Sequence, residues 1–145
     1  MLQVAKTMTQ LPLEQLERVY GGALDADYLR YEFFSLPGAV YCLWLAEGQC
    51  VSAVRLEPWR DGTLLTALET APDKRKRGYA RELVRAVVAY LAEQGSVRLY
   101  SHIHHRNAAS IRVHEKCGFW KISDTAVLMD GTVTAQMGTY VNEIR

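Results

Sequence analysis

The chain has 145 residues, a formal net charge of +1, 49% hydrophobic residues and 23% charged ones. That length suits one domain with a sizeable core, and that composition is too apolar for a disordered segment. A protein that lives by gripping a polyanion carries a larger basic excess, so a general nucleic-acid binder is disfavoured.

Three cysteines, Cys42, Cys50 and Cys117, keep no metal-like spacing and form no even-numbered framework. Free thiols in a reducing compartment are expected. The first residues, MLQVAKTMTQLPL, lack a long apolar core and a cleavage site, and no apolar run is long enough to span a bilayer. A cytoplasmic location is the expectation. No repeat, low-complexity tract or Pro/Gly/Ser-rich linker interrupts the chain, so residues 1–145 are expected to form a single domain.

In chain order, LQVAKTM alternates weakly and reads as a short strand. Leu13, Leu16 and Tyr20 recur at helical spacing, with Pro12 in the first turn and Gly21-Gly22 as the stop. DADYLRYEFFSLPG reads as a second helix, capped by Asp25 or Asp27 and ended by Leu36-Pro37-Gly38. Two β-rich runs then flank Glu47-Gly48-Gln49, a hairpin signal. A turn at Asp61-Gly62 leads into a strand that ends near Pro72. After Gly78 comes the clearest helix, with Ala80, Leu83, Val84, Val87, Val88 and Leu91 on one face and Gly95 as its stop. VRLYSHI is a strand, and NAASIRVHEKCG is a short helix with Asn107 as its cap and Gly118 past its end. FWKISDTAVLM and VTAQMGTYV are expected as two final strands around Asp130-Gly131. The order β-α-α-β-β-β-α-β-α-β-β contains a strand–helix–strand unit from Thr63 to Ile103. This favours a crossover between parallel strands inside a mixed sheet.

The run PDKRKRGYARELV, Pro72 to Val84, is the most informative stretch. A helix N-terminus leaves its first N–H groups unpaired and carries partial positive charge, which suits a phosphate. A glycine lets the backbone approach that anion, and a small residue two positions on leaves room. Arg75-Lys76-Arg77-Gly78-Tyr79-Ala80 meets those needs between a strand and a strong helix. It is neither a P-loop, lacking Gly-Lys-Ser/Thr, nor a three-glycine dinucleotide fingerprint. A solvated basic turn topping a helix is the competing reading, and nucleic-acid tails also carry such runs.

ETAPDKRKRGYARELVRAVVAYL resembles the signature region of the GNAT superfamily of N-acetyltransferases. There a strand ends in an apolar-x-Val-x-Pro run, followed by Arg or Gln-x-x-Gly-x-Gly or Ala and a helix. Here the strand end is Leu68-Glu69-Thr70-Ala71-Pro72, and Arg75, Gly78 and Ala80 match the loop. Downstream, Asn107, Ser110, Val113, Glu115, Lys116, Gly118 and Phe119 match the family's second block. The resemblance is strong from Thr63 to about Trp120. It departs at Thr70, where valine is usual, and at His114, where many members carry a tyrosine assigned as the acid for the leaving thiolate.

The resemblance implies a GNAT-like α/β fold, a central mixed sheet of six to seven strands flanked by about four helices. It implies acetyl transfer from acetyl-coenzyme A, as cosubstrate, directly to an amine on a small molecule or peptide. No nucleic-acid or membrane partner is implied, and dimers are frequent in the family. The loop, Arg75, Lys76, Arg77, Gly78, Tyr79, Ala80 and Arg81, would hold the pyrophosphate. The strand near Leu68 and Thr70 would splay from its neighbour and pair with the pantetheine arm.

Asn107, Ser110 and His114, at offsets 0, +3 and +7, form one helix stripe. Asn107 would reach the pantetheine end, unless it is only a cap. His114 would serve as the acid, unless it is structural. Glu69 is the base nearest in sequence to the reacting strand, but alternation puts it opposite Leu68 and Thr70 unless a bulge intervenes. Glu57, Asp61, His102 and His104 are the other base candidates. His102 and His104 share a strand face, yet no carboxylate or cysteine completes a metal set, so no metal is expected. A non-catalytic coenzyme A-binding module of the same fold is the alternative function.

Overall fold

The computed structural model describes residues 1–21 and 24–144, so the expected stop at Gly21-Gly22 lies partly outside the described residues. The long strands carry apolar residues on both faces, and each face meets its own helices. Tyr41, Leu43 and Ala53 point to one core, which is shared with Leu16, Val19, Tyr20, Leu29, Phe33 and Phe34. Cys42, Val54, Leu56 and Leu65 point to a second core with Leu83, Val84, Val87 and Leu91. Period-2 alternation in the strands thus sorts the chain into a three-layer arrangement.

The strands are β1 (Leu2–Ala5), β2 (Val40–Ala46), β3 (Gln49–Trp59), β4 (Gly62–Thr70), β5 (Arg98–His104), β6 (Trp120–Ser123), β7 (Ala126–Val127), β8 (Val133–Thr134) and β9 (Met137–Glu143). Seven form one sheet in the order β1-β2-β3-β4-β5-β9-β6, while β7 and β8 pair separately. Within the large sheet only β4 and β5 run parallel. They are joined through α3 (Tyr79–Glu93), as the strand–helix–strand pattern predicts. The other helices are α1 (Leu13–Tyr20), α2 (Ala26–Tyr31) and α4 (Ala108–Lys116). Among the described residues, a seven-stranded mixed sheet with four helices matches the architecture expected from the sequence.

Three boundaries differ from expectation. The second helix ends at Tyr31, and Phe33–Ser35 continue as a separate 3-10 turn. Its cap is Asp25, whose carboxylate accepts from the Asp27 and Tyr28 amides. The two final runs each break in two, because the stretch around Asp130-Gly131 folds back as the β7–β8 hairpin while β6 and β9 stay in the large sheet.

Helix α3 packs its apolar stripe on the sheet. Burying Leu83, Val84, Val87 and Leu91 is worth about 1.5–3 kcal/mol each. Gly95, at φ +80°, turns the chain away, with the Ser96 amide donating to the Leu91 carbonyl. Burial pushes the Cys42 and Cys50 thiols up to about 12, so both behave as small apolar groups. No described helix is long and apolar enough to cross a membrane.

Candidate active site

The site begins where β4 leaves β5. Their parallel pairing covers Thr63–Leu65 against Leu99–Ser101 and then stops. On its other side β4 changes register against β3. Ala53 opposes Glu69 and Arg55 opposes Thr66, so Ala67 and Leu68 together face Val54. This is a bulge, and Ala67 takes a φ of +53° in it. Two hydrogen bonds pull the bulged segment toward the first-core side. The Tyr20 hydroxyl donates to the Ala67 carbonyl at 2.9 Å, and Ser52 Oγ donates to the Glu69 carbonyl at 2.8 Å. Burial holds the Tyr20 phenol well above its usual range, so it stays a donor. The end of β4 is thereby splayed, with its β5-facing edge unpaired by any strand.

Two connected spaces follow from the splay. A channel of about 340 Å³ lies between Leu65–Leu68 and Ser101–His104 and is closed by Ser110 and His114 of α4. A larger cavity of about 720 Å³ lies over the N-terminus of α3. Leu68, Thr70, Arg75, Lys76, Gly78, Tyr79, Ala80 and Arg81 all line the larger cavity, and Asn107 and Ser110 line both. Arg77 is the one expected loop residue that lines neither.

The larger cavity is built for an anion. Gly78 caps α3 at φ +82°, and no side chain occupies the cap. A Cβ built there finds only the tip of Arg81, at 3.5 Å, so the glycine leaves open space in front of the first helix amides. Those amides precede the first intrahelical hydrogen bond. Lys74, Arg75, Lys76, Arg81, Arg112 and Lys116 surround the space against one lining carboxylate, Glu69. Arg81 Nε is buried without a partner in the described structure. The residues present therefore fit the pyrophosphate and phosphate groups of coenzyme A.

Helix α4 presents two neighbouring stripes. Asn107, Ser110 and His114 face the channel, as their spacing predicts, while Ala109, Arg112, Val113 and Lys116 face the larger cavity. The second stripe was missed from the sequence, although its offsets of 0, +3, +4 and +7 are those of a helix face. Asn107 does cap α4, its Oδ1 accepting from the Ser110 amide at 3.1 Å.

His114 is 1% exposed, with its ring edge-on to Phe119 at 4.8 Å. Its Nδ1 lies 2.7 Å from the Ser110 carbonyl, which can only accept. The ring proton therefore sits on Nδ1, and Nε2 is a bare, buried lone pair. Burial pushes the imidazole below its usual range, opposed in part by the Ser110 hydrogen bond. The neutral ring has no free N–H to offer, so it delivers a proton only after taking one up.

Glu69 stands apart from the channel. It lines the larger cavity instead of the channel, and its carboxylate lies 3.7 Å from Arg75 Nη2. Burial raises its carboxyl pKa and Arg75 opposes that. Of the other base candidates, Glu57 is buried against Arg55 at 3.2 Å, and Asp61 accepts from the Tyr100 hydroxyl at 2.6 Å. His102 and His104 line the channel. Among the described residues no group of three or more His, Cys, Asp or Glu is gathered for a metal ion.

The chain belongs to the acetyltransferase (GNAT) family, whose sequence model matches residues 6–119. The family uses acetyl-coenzyme A and acts on amine acceptors. Solved structures share the fold at low sequence identity. An aminoglycoside 6'-acetyltransferase type Ii aligns with a TM-score of 0.76 at 15% identity, over 100% of this chain and 97% of its own. The ribosomal-protein-alanine N-acetyltransferase of Brucella melitensis aligns with a TM-score of 0.72 at 20% identity, over 99% of each chain. The PaiA N-acetyltransferase of Thermoplasma acidophilum, solved in complex with coenzyme A, aligns with a TM-score of 0.66 at 12% identity, over 99% of each. No curated protein sequence matches the chain.

Proposed function

We propose that residues 1–145 act as a single N-acetyltransferase unit that moves an acetyl group from acetyl-coenzyme A directly to an amine. The observation that carries this reading is the junction at α3. An open helix N-terminus with no side-chain cap, ringed by six cationic side chains, lies beside a splayed parallel strand pair. The amides of Tyr79, Ala80 and Arg81 take the pyrophosphate, with Gly78 leaving room for its approach. Arg75, Lys76, Arg112 and Lys116 add attraction that solvent partly screens. The unpaired edge at Leu68 and Thr70 offers backbone groups to an extended arm, in the manner of an added strand.

Acetyl-coenzyme A supplies an activated acetyl thioester. A backbone N–H of the splayed strand is placed to stabilise negative charge on the thioester oxygen, the kind of contact that often dominates acyl transfer. His114 closes the channel with Nε2 free to accept. It acts on the thiol side by taking up the proton released as the amide forms and passing it to sulfur. Asn107 and Ser110 hold the stripe in place, Ser110 by fixing the His114 ring through its carbonyl.

Thermal shift with coenzyme A, acetyl-coenzyme A and a DNA oligomer tests this reading, followed by thiol release against a panel of primary amines. Stabilisation by the first two and amine-dependent thiol release are expected. Stabilisation with no release from any amine would favour a coenzyme A-binding module without turnover. That alternative draws on His114 standing at the position where an acid is expected. Stabilisation by DNA alone would refute both.

A further inference from the structure

We propose that His102 is the base that receives the acceptor's proton, working from the face of the sheet opposite His114. The proposal rests on the acetyl-transfer reading and assigns a residue that reading leaves open. Leu64 pairs with Tyr100 and opposes Glu57, so Tyr100 and, two residues on, His102 face the α1/α2 side of the sheet. Leu99 and Ile103 point the other way, into the core under α3. The channel between β4 and β5 therefore has His114 on its α4 side and His102 on its α1/α2 side, and both line it. An amine that approaches from the α1/α2 side meets His102 without crossing the cofactor cavity.

Hydrogen bonding separates the three channel histidines. The Nδ1 of His104 accepts from the Arg106 amide at 3.1 Å, so the neutral ring carries its proton on Nε2 and has no free lone pair. His114 has a lone pair, but on the thiol side. His102 Nε2 is enclosed and has no hydrogen-bond partner in the described structure, while the ring stands edge-on to Trp59 with centroids 5.2 Å apart. An enclosed imidazole nitrogen with no partner, on a residue that lines the channel, costs stability unless a ligand proton meets it.

The surroundings keep that ring neutral. Desolvation, then the Arg60 guanidinium, lower its pKa. Arg60, on the β3–β4 turn, is itself stacked over Trp59 at 5.3 Å. The other titratable groups on this face are committed elsewhere. Glu57 pairs with Arg55, Glu69 lies beside Arg75, and Tyr100 donates to Asp61. Thr139 is the residue across from His102 on β9. Tyr20 donates to the Ala67 carbonyl and Tyr41 to the Phe33 carbonyl on the same side of the sheet, with His104 along the strand and His114 across the channel. The step balances simply. An N–H bond of the incoming ammonium breaks, an N–H bond forms at His102 Nε2, and the amine keeps the electron pair that attacks the thioester carbonyl. The imidazolium then returns its proton to solvent.

The test compares wild-type protein with His102→Gln and His102→Glu, using thiol release from acetyl-coenzyme A with two probes. Ethylamine is an ammonium at pH 7, whereas hydroxylamine is already neutral there. His102→Gln should lower enzyme-dependent release with ethylamine by about 10²-fold. With hydroxylamine the loss should be no more than a few fold. His102→Glu should recover much of the ethylamine rate and move the acidic limb of the pH profile downward, since a carboxylate titrates lower. The acetyl-coenzyme A thermal shift should be the same in all three proteins. Equal losses with both amines, or an ethylamine rate untouched in His102→Gln, would overturn the proposal while leaving acetyl transfer standing. A wild-type protein that shows no shift with acetyl-coenzyme A would instead remove the reading on which it rests.

Discussion

Replacing Gly78 with aspartate should weaken cofactor binding by about 10²-fold or more while barely unfolding the protein, and the geometry at α3 sizes both effects. The new Cβ would sit 3.5 Å from Arg81 Nη2, an ordinary contact, so no clash is introduced. The cost to the free protein comes from φ, +82°, where a side chain loses about 1 kcal/mol relative to glycine. A carboxylate beside the positive end of α3 recovers about 0.5 kcal/mol of that. The net loss of under about 1 kcal/mol corresponds to a Tm fall of about 2–4 °C at this chain size. In the complex the same carboxylate stands roughly 5 Å from a phosphate. At an effective dielectric of about 20 the repulsion is about 3 kcal/mol per charge, which alone weakens binding by about 10²-fold. Isothermal titration with acetyl-coenzyme A, beside thermal melts of the free proteins, reads the two effects separately. A folded Gly78→Asp variant whose Kd stays within about threefold of wild type would refute the cradle.

Arg75→Ala should weaken acetyl-coenzyme A binding less than Gly78→Asp, because an exposed cation is screened while the backbone cradle supplies geometry; titration at two salt concentrations checks the order. Tyr20→Phe should remove the hydroxyl that holds the β4 bulge, costing about 1 kcal/mol in denaturant melts and lowering kcat more than cofactor affinity. Truncating Arg55 to alanine should cost about 3–5 kcal/mol by stranding the buried Glu57 carboxylate, read by the same melts. His114→Phe should lower thiol release by about 10²-fold with little change in cofactor affinity. It should also flatten the stability profile at acid pH. Burial depresses the folded pKa of His114, so its contribution is present above the unfolded value of about 6.5 and is lost as pH falls toward the folded one. The stability gap between wild type and His114→Phe should therefore shrink below about pH 6.5.

Much of this architecture was legible because local chemistry and tertiary packing agree. The apolar stripe of α3 and the Asn107 cap each state their role in sequence, and the structure keeps both, with Gly78 at the head of α3. The legible parts of the site were backbone features, namely a helix N-terminus after a glycine and a strand followed by a crossover. Side-chain chemistry was less legible. Whether His114 donates or accepts turns on one hydrogen bond to the Ser110 carbonyl, which no spacing encodes. Glu69 was placed by alternation, but the bulge at Ala67 and Leu68 and the pull of Arg75 direct it into the larger cavity. The residues raise the bulge only as an exception to alternation and do not locate it, because Ala67 carries no glycine signal at its positive φ, and the residue that holds it, Tyr20, is 47 positions away. The late β7–β8 hairpin was hidden for a similar reason, since two short pairs and one long strand give the same apolar alternation.

A crystal structure with coenzyme A bound tests the central claim most directly. The account predicts the pyrophosphate within hydrogen-bond distance of the Tyr79, Ala80 and Arg81 amides, the pantetheine arm along the unpaired edge of β4, and the sulfur in the channel beside His114. Coenzyme A seated elsewhere, or its sulfur directed away from the gap between β4 and β5, would contradict it.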